Sequence, residues 1–65
     1  MSRHSKLKRI RFDLGLTLDQ VFVKSRRRLQ PSRVSKLERG ILLPDESDRK
    51  ILSRIYGVPE KDLFD

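Results

Sequence analysis

The chain contains no cysteine and only one histidine, His4, among its 65 residues. Without cysteine it can form no disulfide, no thiol nucleophile and no zinc site of the common cysteine-rich kind. His4 lies in a basic N-terminal tail and has no second imidazole with which to share a metal ion. We therefore expect no metal site and no cofactor, and a cysteine-rich secreted scaffold is excluded.

Long apolar runs are also missing. The longest contain three residues, Val21-Phe22-Val23 and Ile41-Leu42-Leu43, whereas a membrane-spanning helix needs about 20 apolar residues. The apolar core of a signal peptide is missing as well. The sequence therefore predicts a cytoplasmic protein with no membrane association.

Aromatic residues are few, and tryptophan is absent. The four that occur are Phe12, Phe22, Tyr56 and Phe64. Recognition of single-stranded RNA relies on aromatic side chains that stack on bases. Because most of the four occur where core residues are expected, an RNA-binding function is disfavoured.

Positive charge is abundant and unevenly distributed. The net charge is +7; residues 1–11 carry +5 and residues 24–39 carry +6, whereas residues 12–23 and 40–65 each carry −2. Clustered cations are typical of a face that binds a polyanion. An anionic membrane is a poorer fit, because no basic segment has the bulky apolar face of an interfacial helix.

Apolar spacing predicts two helices in the first third of the chain. A helix over 5–14 would bury one stripe of side chains, formed by Leu7, Ile10 and Leu14. Gly15 would end it, and Phe12 would lie at the edge of the core. Thr17 and Gln20 form a capping box that begins a second helix. The expected core face of that helix is formed by Leu18, Val21 and Phe22.

Pro31 and Gly40 bracket a third predicted helix over 31–39. Proline suits the first helical position and glycine commonly ends a helix, while Val34 and Leu37 share one apolar face. The remaining surface is polar and largely positive, with Ser32, Arg33, Ser35, Lys36 and Arg39. Such a helix suits the major groove of DNA, which is about 12 Å wide. The alternative is an ordinary solvated amphipathic helix.

The segment 26–30 between these helices contains neither glycine nor proline. Helix propensity alone would let the second helix continue to Arg28, so the segment is either a longer loop or an extra half-turn. Leu29 is expected to fill the core at this turn. Gln30 would be the N-cap of the third helix, although glutamine is a weak capping residue.

Two more helices are expected in the last third. Asp45 would cap a fourth helix over 46–56, with Ile51, Leu52 and Ile55 buried and Gly57 at its end. A short fifth helix would follow Pro59, with Leu63 and Phe64 on its apolar side. The apolar loop 41–43 should fold back over the core. Together these elements predict an all-α, compact bundle of about five short helices. Residues 1–65 would form one domain, with 1–4 as a flexible basic tail.

The sequence resembles the lambda-repressor-like, Xre-type helix-turn-helix DNA-binding domains over residues 7–64. The matching pattern begins Arg11-x-x-x-Gly15-Leu16-Thr17 and continues Pro31-Ser32-x-Val34-Ser35-x-Leu37-Glu38-Arg39-Gly40. It ends Leu52-x-x-Ile55-Tyr56-Gly57-Val58-Pro59-Glu60-x-x-Leu63-Phe64. The resemblance implies that the second helix crosses the DNA backbone and the third reads the major groove.

Two departures from the family pattern stand out. Leu18 replaces a glutamine that braces a phosphate in many members, so that contact is expected to be absent. The span from Val21 to Val34 is about two residues longer than usual, so the family pattern does not fix the approach angle of the third helix.

The resemblance assigns roles to individual positions. Base contacts are implied for Gln30, Ser32, Arg33 and Lys36. Phosphate contacts are implied for Arg39, and the basic turn would add Arg26, Arg27 and Arg28. Arg11 and Glu38 match a family ion pair that joins the first helix to the end of the third.

These features predict a sequence-specific double-stranded DNA-binding protein, a transcriptional regulator and not an enzyme. Because one recognition helix covers few base pairs, we expect a homodimer that associates through the C-terminal segment, with Leu63 and Phe64 at the contact. The alternative is a protein-interaction module, such as an antitoxin-like partner of an acidic protein. Acidic side chains at 45–48 are interpreted as helix caps and not as metal ligands.

Overall fold

Five α-helices follow one another in the computed structural model, which describes residues 5–64. They are α1 (Ser5–Asp13), α2 (Leu18–Lys24), α3 (Pro31–Arg39), α4 (Glu46–Tyr56) and α5 (Glu60–Phe64). No strand occurs within residues 5–64, so the predicted all-α bundle is confirmed. The predicted basic tail 1–4, with His4, lies outside the described residues.

The helix ends follow from the capping residues in the sequence. The Gln20 N–H donates to Thr17 Oγ1 at 3.1 Å, and the Thr17 N–H donates to Gln20 Oε1 at 2.8 Å. Asp45 and Asp48 make the equivalent reciprocal pair at the start of α4. Gly40, with φ 76°, ends α3 in the left-handed conformation that glycine adopts without steric cost.

The core forms where α3 packs against α1 and α2, while α5 packs against α1 and α4. Its buried apolar residues are Leu7, Val21, Leu29, Val34, Leu37, Leu52, Tyr56 and Leu63. The predicted burial of Leu29 at the turn is confirmed. The radius of gyration is 10.3 Å, close to the value of about 11 Å expected for a compact chain of this length. The bundle is therefore closed around one apolar centre.

Two predicted apolar stripes are displaced in the structure. Leu14 is exposed and Ile10 only partly buried, because Arg11 instead turns inward beside Leu7 to reach α3. Phe12 is exposed and does not reach the core. In α4 the innermost line runs through Asp48, Leu52 and Tyr56, which leaves the two isoleucines of the predicted stripe half-buried at its flank: Ile51 and Ile55.

The prediction that the loop 41–43 folds back over the core is wrong for two of its three residues. Ile41 is 61% exposed and Leu43 is 81% exposed, while Leu42 is partly buried against the core. The N–H groups of Ile41 and Leu42 both donate to the Lys36 carbonyl. The chain therefore turns tightly around the end of α3, and only one of the three side chains faces inward.

The C-terminal residues expected at a dimer contact are used within the chain. Leu63 is only 2% exposed and belongs to the core, and Phe64 packs half-buried against it. Leu63 is buried because α5 packs against α1 and α4. The expectation that Leu63 faces a second copy is therefore wrong, whereas Phe64 keeps part of its ring surface exposed.

Candidate nucleic-acid interface

Helix α3 presents a polar outer face that contains no carboxylate. Its inward side is formed by Val34, Leu37 and Glu38, all buried. Its outward residues are Ser32, Lys36 and Arg39, which are exposed, with Ser35 half-buried among them. Gln30 precedes the helix as its N-cap and is exposed, but its side chain makes no capping hydrogen bond. These side chains give the face hydroxyl, amide, ammonium and guanidinium donors.

The predicted ion pair between Arg11 and Glu38 is present and buried. Arg11 Nε donates to Glu38 Oε2 at 2.7 Å, and Arg11 Nη2 donates to Oε1 at 3.2 Å. The remaining Arg11 nitrogen, Nη1, donates to the Leu16 carbonyl at 3.0 Å. The hydrogen bonds that Arg11 donates to Glu38 raise the pKa of Arg11 above its ordinary value, against the opposing effect of burial. One guanidinium thus ties α1, the α1–α2 loop and α3 together.

Tyr56 lies beside this pair with its hydroxyl buried and without a hydrogen-bond partner in the described part of the chain. The residue is 4% exposed. Burial, followed by the negative charge of Glu38, raises the pKa of Tyr56 to about 12. The phenol is therefore neutral at physiological pH and contributes apolar packing from α4.

A second ion pair joins α3 to the start of α4. Arg33 Nε donates to Asp48 Oδ1 at 3.0 Å, and Arg33 Nη2 donates to Oδ2 at 2.7 Å. Asp48 is 3% exposed and also accepts from the Asp45 N–H. Burial alone would raise the pKa of Asp48, but the bonds from Arg33 and the Asp45 backbone outweigh it and lower the pKa.

Arg33, for which a base contact was predicted, is the α3 member of this pair, and 35% of its side chain is exposed; the base contact stays a prediction. The Nε and Nη2 edge of its guanidinium is bound to the Asp48 carboxylate, so this edge is directed at α4. The acidic residues at the start of α4 also have partners within the chain. Asp45 and Asp48 cap the helix, and Glu46 pairs with Lys50 at 3.3 Å.

The turn between α2 and α3 is a longer loop and not an extension of α2. The helix ends at Lys24, and Arg26 and Arg27 follow with φ values of 60° and 64°. Residues other than glycine rarely adopt this left-handed backbone conformation. Ser25 secures the turn, because its hydroxyl donates to the Phe22 carbonyl and accepts the Leu29 N–H.

The arginines of this turn do not all share one environment. Arg26 and Arg28 line a groove of about 590 Å³ between the end of α2 and one side of α4. No residue of α3 lines it. Arg26 and Arg28 are exposed, and their phosphate contacts stay predictions. Arg27 is exposed and lies outside that lining.

Two other features are absent from residues 5–64. No group of three or more histidine, cysteine or acidic side chains that could hold a metal ion occurs there. Within the same range, no helix is long and apolar enough to cross a membrane.

Sequence reasoning missed three features of this region. They are the Arg33–Asp48 pair, the Tyr56 hydroxyl, which has no hydrogen-bond partner within residues 5–64, and the groove beside α4. All three depend on how α4 is placed against the other helices. One signal was available for the first of them: Asp48 stands three residues after the cap Asp45, where a carboxylate is both a capping group and a partner for a nearby cation.

Comparison with protein-family models, with curated proteins and with solved structures finds no match to this chain. The resemblance to lambda-repressor-like domains therefore rests on the residues quoted above, and the interpretation of the α3 face rests on its own chemistry.

Proposed function

We propose that this protein binds double-stranded DNA sequence-specifically, as a transcriptional regulator of the lambda-repressor-like, Xre-type helix-turn-helix class. The observation that carries the proposal is the outer face of α3. It is exposed, rich in hydrogen-bond donors and free of carboxylates, on a helix held from behind by its buried residues.

In this proposal α3 enters the major groove, where base edges offer a distinct donor and acceptor pattern for each base pair. Lys36 lies at the middle of the exposed face and donates to base acceptors, with Gln30 and Ser32 beside it. Arg39, at the C-terminal end of the helix, contacts phosphate. Arg27 adds a phosphate contact from the turn.

The rigid attachment of α3 supports a recognition role. A base-reading helix has to hold its side chains in a fixed register, because a misplaced donor loses its acceptor. The Arg11–Glu38 pair fixes the end of α3 to α1, and the Arg33–Asp48 pair fixes its beginning to α4. These two bidentate contacts leave little freedom for α3 to rotate about its axis.

Selection of bound sites from a random duplex pool tests the proposal directly. An enriched motif is expected, and recovery of unselected sequence would contradict it. Lys36→Ala should relax preference at one or two positions, with a cost of about 1–3 kcal/mol at a guanine edge. Arg39→Ala is the matched comparison and should weaken binding to all sequences alike. Equal losses on selected and random duplexes for both variants would contradict the division of roles.

We also propose that two copies read two half-sites, with Phe64 at their contact. Specific addresses in a genome need more base pairs than one helix covers, and the half-buried ring of Phe64 offers exposed apolar surface at the end of α5. A Phe64→Ala variant that remains folded should lose cooperative binding to a duplex with two half-sites. Binding identical to that of the unmodified chain would exclude this contact.

A further inference from the structure

A second cationic surface is lined by residues outside α3. It is the groove between the end of α2, the following turn and α4, with a volume of about 590 Å³. Hereafter it is called the α2–α4 groove. Its charged lining residues are Lys24, Arg26, Arg28, Glu46, Lys50 and Arg54.

The charge of this groove is strongly unbalanced. Five of its side chains are cationic, and the single carboxylate, Glu46, pairs with Lys50 at 3.3 Å. Within residues 5–64, the basic side chains that form ion pairs with carboxylates are Arg11, Arg33, Arg49 and Lys50. Lys24, Arg26, Arg28 and Arg54 thus have no carboxylate partner in that part of the chain, and the groove favours a ligand with several negative charges.

Apolar surface accompanies the charge. Ile51 and Ile55 lie four residues apart on one side of α4, line the groove and are only partly buried against the core. Phosphate backbones have no apolar side chain to place on such surface, whereas a protein segment can cover it with leucine, isoleucine or phenylalanine. The combination of cationic walls and isoleucine surface therefore favours a peptide over a duplex.

The backbone of the turn is consistent with a requirement for the arginine side chain. Arg26 occupies a left-handed conformation, with φ 60°, where glycine would remove the steric cost. Strained backbone of this kind is concentrated at sites that bind ligands. Here the side chain carried by the strained residue lines the groove.

We propose that the α2–α4 groove binds an acidic segment of a partner protein, with an apolar side chain of that segment placed on Ile51 and Ile55. No residue of α3 lines the groove, so the residues proposed to read DNA on α3 are not part of it. The cations supply long-range attraction, and the isoleucine surface selects segments that carry apolar residues.

Fluorescence anisotropy, in which the 65-residue chain is titrated into each of two labelled synthetic peptides, tests this proposal. The first peptide alternates leucine with pairs of glutamate, and in the second every leucine is replaced by serine at unchanged charge. The first should bind at least about tenfold more tightly, because only it can cover apolar surface. Equal affinities would mean that charge alone attracts the peptide, which would overturn the proposal.

Matched charge reversals locate the site. The double variant Lys24→Glu/Arg54→Glu changes two exposed groove residues, and Lys6→Glu/Lys61→Glu makes the same charge change at exposed residues elsewhere. The groove variant should lose at least about tenfold in affinity for the leucine peptide, and the control no more than about twofold. Equal losses of affinity in the two variants would show that net charge alone attracts the peptide, and the groove would not be the binding site. Thermal melts establish that both variants are folded.

Two further outcomes separate other occupants. If the groove variant also loses affinity for duplex DNA more than the control does, the groove belongs to a polyanion face and the proposal is wrong. If the chain self-associates in sedimentation and only the groove variant is monomeric, the occupant is a second copy and the assignment to a partner protein is wrong. Failure of Lys36→Ala to alter DNA preference would contradict the α3 proposal alone.

Discussion

Arg11 and Glu38 stand 27 positions apart in the chain, and their side chains form two hydrogen bonds, of 2.7 Å and 3.2 Å, in the interior of the bundle. Both side chains are less than a tenth exposed. A charge that deeply buried is tolerated only when it is paired and hydrogen-bonded. The pair therefore makes α1 and α3 depend on each other for stability.

Glu38→Ala should destabilise the protein severely, because it leaves the Arg11 guanidinium buried without its partner. The expected loss is about 3–5 kcal/mol, a large part of the stability of a domain of this size. Thermal and denaturant unfolding measure it. Glu46→Ala is the control, since it removes an exposed carboxylate from the pair with Lys50 and should cost at most about 0.5 kcal/mol. Similar unfolding midpoints for the two variants would refute the importance of burial.

Asp48 should make stability fall as the solution becomes acidic. Its pKa is lowered in the folded protein by Arg33 and the Asp45 backbone, despite burial. The folded state therefore holds the proton less tightly than the unfolded chain, whose aspartates titrate near about 3.9. The contribution is complete above that pH and is lost as the pH falls through the lower folded pKa. Urea unfolding measured as a function of pH should show a shallower acid slope for Asp48→Asn. Asp62→Asn, which removes an exposed carboxylate from α5, is the control, and equal changes of slope would contradict the assignment.

Tyr56 should titrate far above an ordinary phenol. Its pKa is raised to about 12, first by burial and then by Glu38. It is the only tyrosine, and tryptophan is absent, so tyrosinate absorbance reports this residue alone. The midpoint of the tyrosine titration should be about 12 in the folded chain and about 10 in urea. Stability should consequently fall as the pH rises from the unfolded pKa towards the folded one. A folded-state midpoint near that of the unfolded chain would show the hydroxyl to be accessible to water.

Tyr56→Phe should not destabilise the protein at neutral pH. The hydroxyl is buried without a hydrogen-bond partner in residues 5–64, and an unpaired buried polar group costs about 1–3 kcal/mol. Removing it is expected to leave the free energy of unfolding unchanged or to raise it by up to about 1 kcal/mol. A loss larger than about 1 kcal/mol would indicate a hydrogen bond that the phenol makes in solution.

Arg27→Gly should stabilise the turn between α2 and α3. Arg27 has φ 64°, a conformation that costs a residue with a Cβ roughly 1–2 kcal/mol. The greater freedom of glycine in the unfolded chain offsets part of this gain, so a net increase of up to about 1 kcal/mol is expected. Arg28→Gly is the control, because Arg28 is not among the residues with positive φ, and it should lower stability. If the denaturant midpoints of both variants fell equally, the claim that the Arg27 backbone is strained would be wrong.

The sequence determined the helices and their ends, because these depend on residues that are close along the chain. Thr17 with Gln20, Asp45 with Asp48, Gly40 and Gly57 supply local hydrogen bonds or backbone freedom that need no tertiary contact. Val34, Leu37 and Leu52 were predicted core residues for the same reason, since apolar spacing on a helix is a local property.

Tertiary packing decided the direction in which long charged side chains point and the partners with which they pair. Arg33 lies on the polar surface of α3, and its pairing with Asp48 depends on how the start of α4 is placed against α3. The same packing buried Arg11 in place of Leu14, and it left Ile51 and Ile55 at the border of a cationic groove. Long flexible side chains take the orientation in which their charges are paired, and that depends on helices distant in the sequence.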